Sequence, residues 1–125
     1  MYSTTVLTDF VAQHYLTVPN PGPEGVPHSH HFEIEVTFRG PELNEYDYLV
    51  DIDDAEGALS EVADRYRDEL LNDRPAFEGY NPSVERFARA VFERVADAAA
   101  ADTGTELAVT AWEDDTAAAP YDPSV

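Results

Sequence analysis

The chain has 125 residues, with 26 aspartates and glutamates against 7 arginines, no lysine and no cysteine, and a formal net charge of −19 at pH 7. So few basic residues exclude binding to a row of nucleic-acid phosphates, and the lack of cysteine excludes disulfides and thiolate chemistry. Acidic residues spread along a whole chain are typical of salt-accumulating halophiles, because molar salt shortens the Debye length to about 3 Å and screens their repulsion.

Neither a membrane protein nor a secreted one is predicted. No apolar run approaches the roughly 20 residues of a membrane span. The N-terminal stretch MYSTTVLTDF lacks the basic and apolar regions of a signal peptide, so we expect a cytoplasmic protein. The 43% of hydrophobic residues predicts a globular chain with its own core, forming a single domain over residues 1–125. An acidic protein from a mesophile is the alternative to a halophilic one.

The first half of the chain predicts three strands. Residues 4–16 are rich in β-branched and aromatic side chains, which favour a strand. The proline- and glycine-rich stretch 17–27 predicts a loop. Residues 28–39 alternate between polar and apolar side chains, as in a strand with one buried face. Residues 46–52 predict a third strand, which could form a hairpin with the second.

The second half predicts two helices and a last strand. Over residues 53–73 apolar side chains recur at helical spacing, with acids in the first turn where the helix dipole favours them. A second helix follows, with Ser83 as its candidate N-cap. Residues 107–113 predict a fourth strand, and about 114–125 a loose tail. The order β-β-β-α-α-β predicts an α+β fold, a four-stranded antiparallel sheet with both helices on one face.

Three of the four histidines are predicted to meet at one end of this sheet. His28 and His30 are two residues apart on a strand and leave the same face, whereas His31 leaves the other. His14 lies near the end of the first strand, which would pair antiparallel with the second. Three imidazoles with an open fourth position form a catalytic zinc site, whose ligands must be neutral and would be lost below about pH 6.5. The alternative is a group of polar residues at a loop end.

Six short motifs occur in a particular order along the chain. They are Phe10, Ala12 and His14 in an F-x-A-x-H strand, then HSHHFEIEVTF, LVDIDD, Leu71-Asn72, NPSVE, and Glu113 in TAWEDD. Each motif alone is weak. In this order, and over nearly the whole chain, they resemble the 6-pyruvoyltetrahydropterin synthase and 6-carboxytetrahydropterin synthase family.

This resemblance implies a tunnelling fold, zinc at His14, His28 and His30, and hexamers of two trimers with active sites at subunit interfaces. It implies that Glu113 holds the pterin ring, for which a carboxylate suits because it accepts two parallel hydrogen bonds. It also implies that Ser83 lies near the ring, although Ser83 could instead serve only as a helix cap. Zinc would hold the hydroxyls of the substrate's side chain and make them more acidic.

The chain departs from this family at both proton-transfer groups. The family's cysteine lies four residues before its H-G-H motif, and that position is Glu24 here. The family's Asp-His pair falls on Arg67 and Asp68, counted back from Asn72. Glu24 is therefore our candidate base, with Asp68 assisting, provided that burial brings the pKa of Glu24 near the working pH. Glu24 could equally be one more acid in an acidic loop.

Two functions follow from this pattern. In the first, the protein is a zinc-dependent lyase that cleaves the side chain of a 7,8-dihydroneopterin-type substrate, as branches of the family with a glutamate near this position do. In the second, it is a catalytically inactive paralogue that keeps zinc as a structural part, or binds a pterin or purine without converting it. The scarcity of cations favours unphosphorylated neopterin over its triphosphate.

Overall fold

Two long strands form the centre of the fold. The computed structural model describes residues 1–98 and 104–124. Strand β1 (Tyr2–His14) pairs antiparallel with β2 (His28–Gly40) along its whole length, and the register sets His14 opposite His28. The predicted pairing of the first two strands across the proline-rich loop is therefore confirmed.

Two further strands complete an antiparallel sheet in the order β1-β2-β3-β4, with β3 at Glu106–Trp112 and β4 at Ala118–Tyr121. Two α-helices, α1 (Ile52–Tyr66) and α2 (Val84–Ala98), lie between β2 and β3 in sequence. Helix α1 packs against β1, and α2 packs against β3 and β4. A four-stranded antiparallel sheet with two helices agrees with the predicted α+β class.

One face of the sheet is covered by the helices and the other is open. The apolar side chains that alternate along β2 are fully buried, as the sequence predicts, and the helices contribute the rest of the core. Leu7 and Val11, which leave the opposite face of β1, are exposed. Below, these are called the covered face and the open face.

The predicted third strand at residues 46–52 is wrong, and so is its hairpin with β2. The Asn44 side chain accepts hydrogen bonds from the backbone N–H groups of Tyr46 and Tyr48, which folds this segment into a turn. The Asp51 carboxylate accepts one from Asp53 N–H, so helix α1 already begins at Ile52. Side chains of Asn and Asp that satisfy nearby backbone N–H groups compete with strand pairing.

The predicted loose tail at about 114–125 is also wrong in part. Residues 118–121 form β4 on the edge of the sheet, where Ala119 is buried and pairs with Ala111. Pro120 cannot donate a backbone hydrogen bond, and an edge strand is where proline is tolerated. The weak β propensity of alanine and proline hid this strand from the sequence.

Helix α1 is shorter than the predicted segment 53–73. It ends at Tyr66, and Asp68 has a left-handed backbone with φ of 62°, which a continuing helix does not allow. The predicted end of the second helix, at residues 102–106, falls partly outside the described residues. Within the described residues no helix is both long and apolar enough to cross a membrane.

Candidate metal centre

Three histidines converge at one end of the covered face. His14 ends β1, His28 begins β2, and His30 lies two residues further on, opposite Ala12. Because side chains alternate along a strand, all three lie on the same face as the buried Phe32, which follows His30 by two residues. The ring centroids lie 4.6 Å (His14–His28), 5.1 Å (His14–His30) and 4.9 Å (His28–His30) apart. One ligand atom from each lies within 4.8 Å of the others, so the group could hold a metal ion.

Backbone carbonyls fix which nitrogen faces the centre of this group. His14 Nδ1 lies 2.8 Å from Pro82 O, and His28 Nδ1 lies 2.9 Å from Val26 O. A carbonyl oxygen only accepts, so each Nδ1 must carry the proton, and each neutral ring presents its Nε2 lone pair. A second partner that holds the far nitrogen is a common feature of metal-bound histidine.

The three Nε2 atoms lack protein partners. Those of His14, His28 and His30 are buried and have no hydrogen-bond partner among the described residues. A buried polar atom without a partner is costly, of the order of 1–3 kcal/mol for a neutral group. The Nε2 lone pairs of His14 and His28, with the Nε2 of His30 beside them, would be stabilised by a cation, so the donor set fits a metal ion.

The environment of His14 keeps its ring neutral. His14 is 1% exposed. Burial lowers the pKa of its imidazole, the hydrogen bond to Pro82 O opposes this, the His28 and His30 rings lower it further, and Glu113 raises it. A metal ligand must be the neutral imidazole, so the direction of this shift favours binding.

A carboxylate lies against the histidines. Glu113 directly follows β3, and its Oε1 is 3.3 Å from His30 Nε2 and 3.5 Å from His14 Nε2. Its backbone N–H donates to Ala117 O across the β3–β4 connection. The family resemblance implied that Glu113 holds the pterin ring, but nothing in the sequence indicated contact with the imidazoles.

Ser83 lies beside the group, in the turn that supplies the Pro82 carbonyl. Its hydroxyl accepts a hydrogen bond from Arg86 N–H at 3.1 Å, so it does cap α2. It also lines a cavity of ≈ 390 Å³, whose other walls are Tyr80, Asn81, Glu85, Arg86, Arg89 and Tyr121. Ser83 therefore has its helix-capping role and, in addition, a position at the wall of a cavity.

Glu24 and Asp68 lie apart from the histidines within one chain. Glu24 lies in a short 3-10 turn, Gly22–Gly25, with its side chain exposed, and its carbonyl accepts from Leu16 N–H. Asp68 is exposed at the outer edge of β1, where its N–H donates to Val11 O. Neither carboxylate forms an ion pair with a described histidine or arginine.

The open face carries a second concentration of polar groups, which the sequence analysis did not single out. A cavity of ≈ 360 Å³ is lined by Asp9, His31, Glu33, Glu35, Trp112, Asp114 and Asp115. His31 Nε2 is 2.8 Å from Asp9 Oδ1, and Trp112 Nε1–H donates to Glu35. The sequence did contain an indication of this group, because the polar residues that alternate with the buried ones along β2 include His31, Glu33 and Glu35.

Comparisons with known proteins place the chain in a family. The family model described as 6-pyruvoyl tetrahydropterin synthase matches residues 3–124. The structure of 6-pyruvoyl tetrahydropterin synthase from Caenorhabditis elegans is similar, with 19% identity, a TM-score of 0.85, and coverage of 97% of this chain and 94% of that one. The search of curated proteins gave no match.

Two structures of the Plasmodium vivax enzyme have the same fold. The 6-pyruvoyl tetrahydropterin synthase is 12% identical with a TM-score of 0.75, and covers 97% of this chain and 98% of that one. A glutamate-to-alanine variant, described as a catalytic residue mutant, is 11% identical with a TM-score of 0.74 and the same coverage. Because these structures are less than 25% identical to the chain, their similarity establishes the fold alone. The match of the family model over almost the whole sequence shows that the chain belongs to the 6-pyruvoyl tetrahydropterin synthase family.

Proposed function

We propose that the protein is a zinc-dependent lyase acting on the side chain of a 7,8-dihydroneopterin-type substrate. The observation that carries this proposal is the set of three buried Nε2 atoms, on His14, His28 and His30, that face one point without a protein donor. Family membership supports the substrate class.

The three imidazoles suit zinc as the resident ion. Zinc prefers nitrogen ligands in a tetrahedral arrangement, and three protein ligands leave a position for a substrate. When bound, the ion would polarise the hydroxyls of the substrate's side chain. The backbone carbonyls of Pro82 and Val26 hold the rings of His14 and His28 in the tautomer that such a site requires.

The cavity beside Ser83 is the proposed place for the pterin ring. Its volume of ≈ 390 Å³ is of the size that small-molecule sites have, and the Tyr80 ring is half-exposed at its wall. A carboxylate could accept hydrogen bonds from the ring's amidine-like edge. Glu85, to which the sequence analysis gave no role, lines this cavity. Glu113, the carboxylate that the resemblance implies, lies instead against His14 and His30.

Glu24 is proposed as the base that removes a proton from the substrate's side chain, with Asp68 assisting. Both are exposed within one chain, so they would act on a site that a neighbouring subunit completes. The outer edge of β4, and that of β1 before Val11, support such an assembly, because unpaired strand edges invite pairing with another chain. The proposed form is a homohexamer of two trimers. The catalytic glutamate described for the Plasmodium vivax enzyme supports a carboxylate as the base.

One observation favours a second function. Arg67 and Asp68 stand where the family's Asp-His pair is expected, and neither Asp68 nor Glu24 reaches the histidines of its own chain. If no neighbouring subunit brings them to the site, the protein would bind a pterin or purine without converting it. Zinc would then be a structural part.

Product analysis tests the proposal. Protein loaded with zinc would be incubated with 7,8-dihydroneopterin and, separately, with its triphosphate, and the pterin products identified by mass. We expect loss or rearrangement of the side chain with at least one of them, and none after chelation of the metal. Binding of both compounds with no conversion of either would favour the second function.

A further inference from the structure

We infer that Asn72 is a positioning residue of the metal centre, which holds the end of β1 so that the His14 ring stays in place. This inference rests on the proposed function, since it requires that the histidines bind an ion. Asn72 would act not on the ion itself but through the backbone of Tyr15, the residue that follows His14.

The end of β1 carries a ligand at a point where the sheet stops. His14 is the last residue of β1, and the pairing of β1 with β2 also ends there, opposite His28. The ends of strands open locally at a small cost in free energy, because few hydrogen bonds hold them. A metal ligand in this position therefore needs further contacts that fix its backbone.

The outer edge of β1 is paired close to this end. Asp68 N–H donates to Val11 O at 2.7 Å, and Gln13 N–H donates to Glu69 O at 2.9 Å. Alternate residues of a strand direct their backbone groups to the same side, so every second residue of β1 takes part. The next residue in this row is Tyr15.

The Asn72 side chain continues the row. Its Oδ1 accepts a hydrogen bond from Tyr15 N–H at 3.0 Å, and its Nδ2 donates to Tyr15 O at 3.0 Å. A backbone N–H only donates and a carbonyl oxygen only accepts, so the amide has one possible orientation. Asn72 thus gives Tyr15 the hydrogen bonds that a neighbouring strand would give. The residues on both sides of His14, Gln13 and Tyr15, are held in this way.

Asn72 is itself well supported. It lies in the 3-10 turn Leu71–Asp73, whose first side chain is fully buried in the core. The His14 ring is held by a different bond, from its Nδ1 to Pro82 O. That bond orients the ring, whereas Asn72 fixes the backbone from which the ring projects. Loss of Asn72 should therefore let the buried Nε2 of His14 move relative to the other two histidines.

Zinc affinity tests this role, with Asn72→Ala as the variant and Asn44→Ala as its matched control. The Asn44 side chain also accepts hydrogen bonds from two backbone N–H groups, but it follows the far end of β2, which His28 begins. Affinity would be measured by competition with a chelator in molar salt. We expect Asn72→Ala to weaken zinc binding by about 10-fold, the lower end of the loss for a group that supports a metal-bound histidine. Asn44→Ala should bind zinc as the parent does.

Hydrogen exchange gives a test that does not depend on a variant folding well. In the metal-free parent, mass spectrometry at single-residue resolution should find the Tyr15 amide protected, because its N–H donates to Asn72. In Asn72→Ala this amide should exchange faster, whereas Asn44→Ala should leave its exchange unchanged. Exchange of the Tyr15 amide at the rate of an unstructured chain in the parent would overturn the inference.

The outcomes separate positioning from a general loss of stability. If Asn72 were merely structural, its removal would lower the free energy of unfolding and leave zinc affinity at the parent value. Parent-like zinc affinity in Asn72→Ala, or equal weakening in Asn44→Ala, would therefore overturn the inference. A parent that binds no zinc would instead overturn the proposed function.

Discussion

His30 and His31 are consecutive residues of β2 with opposite surroundings. His30 leaves the covered face, where its Nε2 is buried beside His14 and His28 and lacks a hydrogen-bond partner among the described residues. His31 leaves the open face, where it is two-thirds exposed and pairs with Asp9 at 2.8 Å. Because consecutive residues of a strand lie on opposite faces, one is a candidate metal ligand and the other forms a surface ion pair.

Comparison of the two faces shows that several acidic side chains close together do not by themselves form a metal site. It has more carboxylates than the covered end, yet the groups of three or more potential ligands found among the described residues consist of the three histidines alone. Its polar side chains have partners, as Trp112 has in Glu35, or are exposed. The covered end is distinguished by atoms that are buried, held in place and left without a donor.

The largest effect is expected from substituting His30 and His31 separately. His30→Ala should lose the one zinc ion per subunit, because it removes one of three ligands, whereas His31→Ala should keep it. Metal analysis after dialysis against a weak chelator measures this directly. A His31→Ala protein without zinc, together with a His30→Ala protein that retains it, would reverse our assignment of the two faces.

Assembly should depend on salt, because the open face and the rest of the surface carry most of the net charge of −19. We predict a homohexamer in molar salt, where the Debye length is about 3 Å, and dissociation in dilute buffer, where like charges repel. Light scattering across a salt series reports the molar mass. A monomer at every salt concentration would remove the model of a site shared between subunits.

The proposed base gives a smaller, kinetic effect. Glu24→Gln should bind a pterin as the parent does but convert it roughly 100-fold more slowly, the usual scale for a lost general base. Glu56→Gln, an exposed glutamate on α1, is the matched control and should have the activity of the parent. Single-turnover assays and calorimetry separate conversion from binding. Full activity in Glu24→Gln would show that another group takes the proton.

The smallest effect is expected on the open face. Asp9→Asn removes the partner of His31, and an exposed pair of this kind contributes about 0.2–1 kcal/mol to the free energy of unfolding. Zinc content should not change. Denaturant unfolding in molar salt measures the stability. A loss of several kcal/mol would mean that the open face is buried in the assembly around this pair.

The sequence predicted the parts of the site that depend on strand parity. The alternation in β2 indicated which side chains are buried, and it separated His30 from His31. It could not predict that the Pro82 carbonyl, 68 residues from His14, would hold that ring. Nor could it predict the approach of Glu113, which depends on the register that sets Trp112 opposite Glu33. Local side-chain caps at Asn44 and Asp51 overrode the predicted third strand, and an alanine-rich segment supplied the fourth.

Anomalous diffraction from crystals grown with zinc tests the central claim most directly. Data collected above and below the zinc absorption edge locate the ion without reference to activity. The account predicts one peak per chain at bonding distance from the Nε2 atoms of His14, His28 and His30. A peak beside His31 and Asp9, or no peak at the three histidines in protein saturated with zinc, would contradict it.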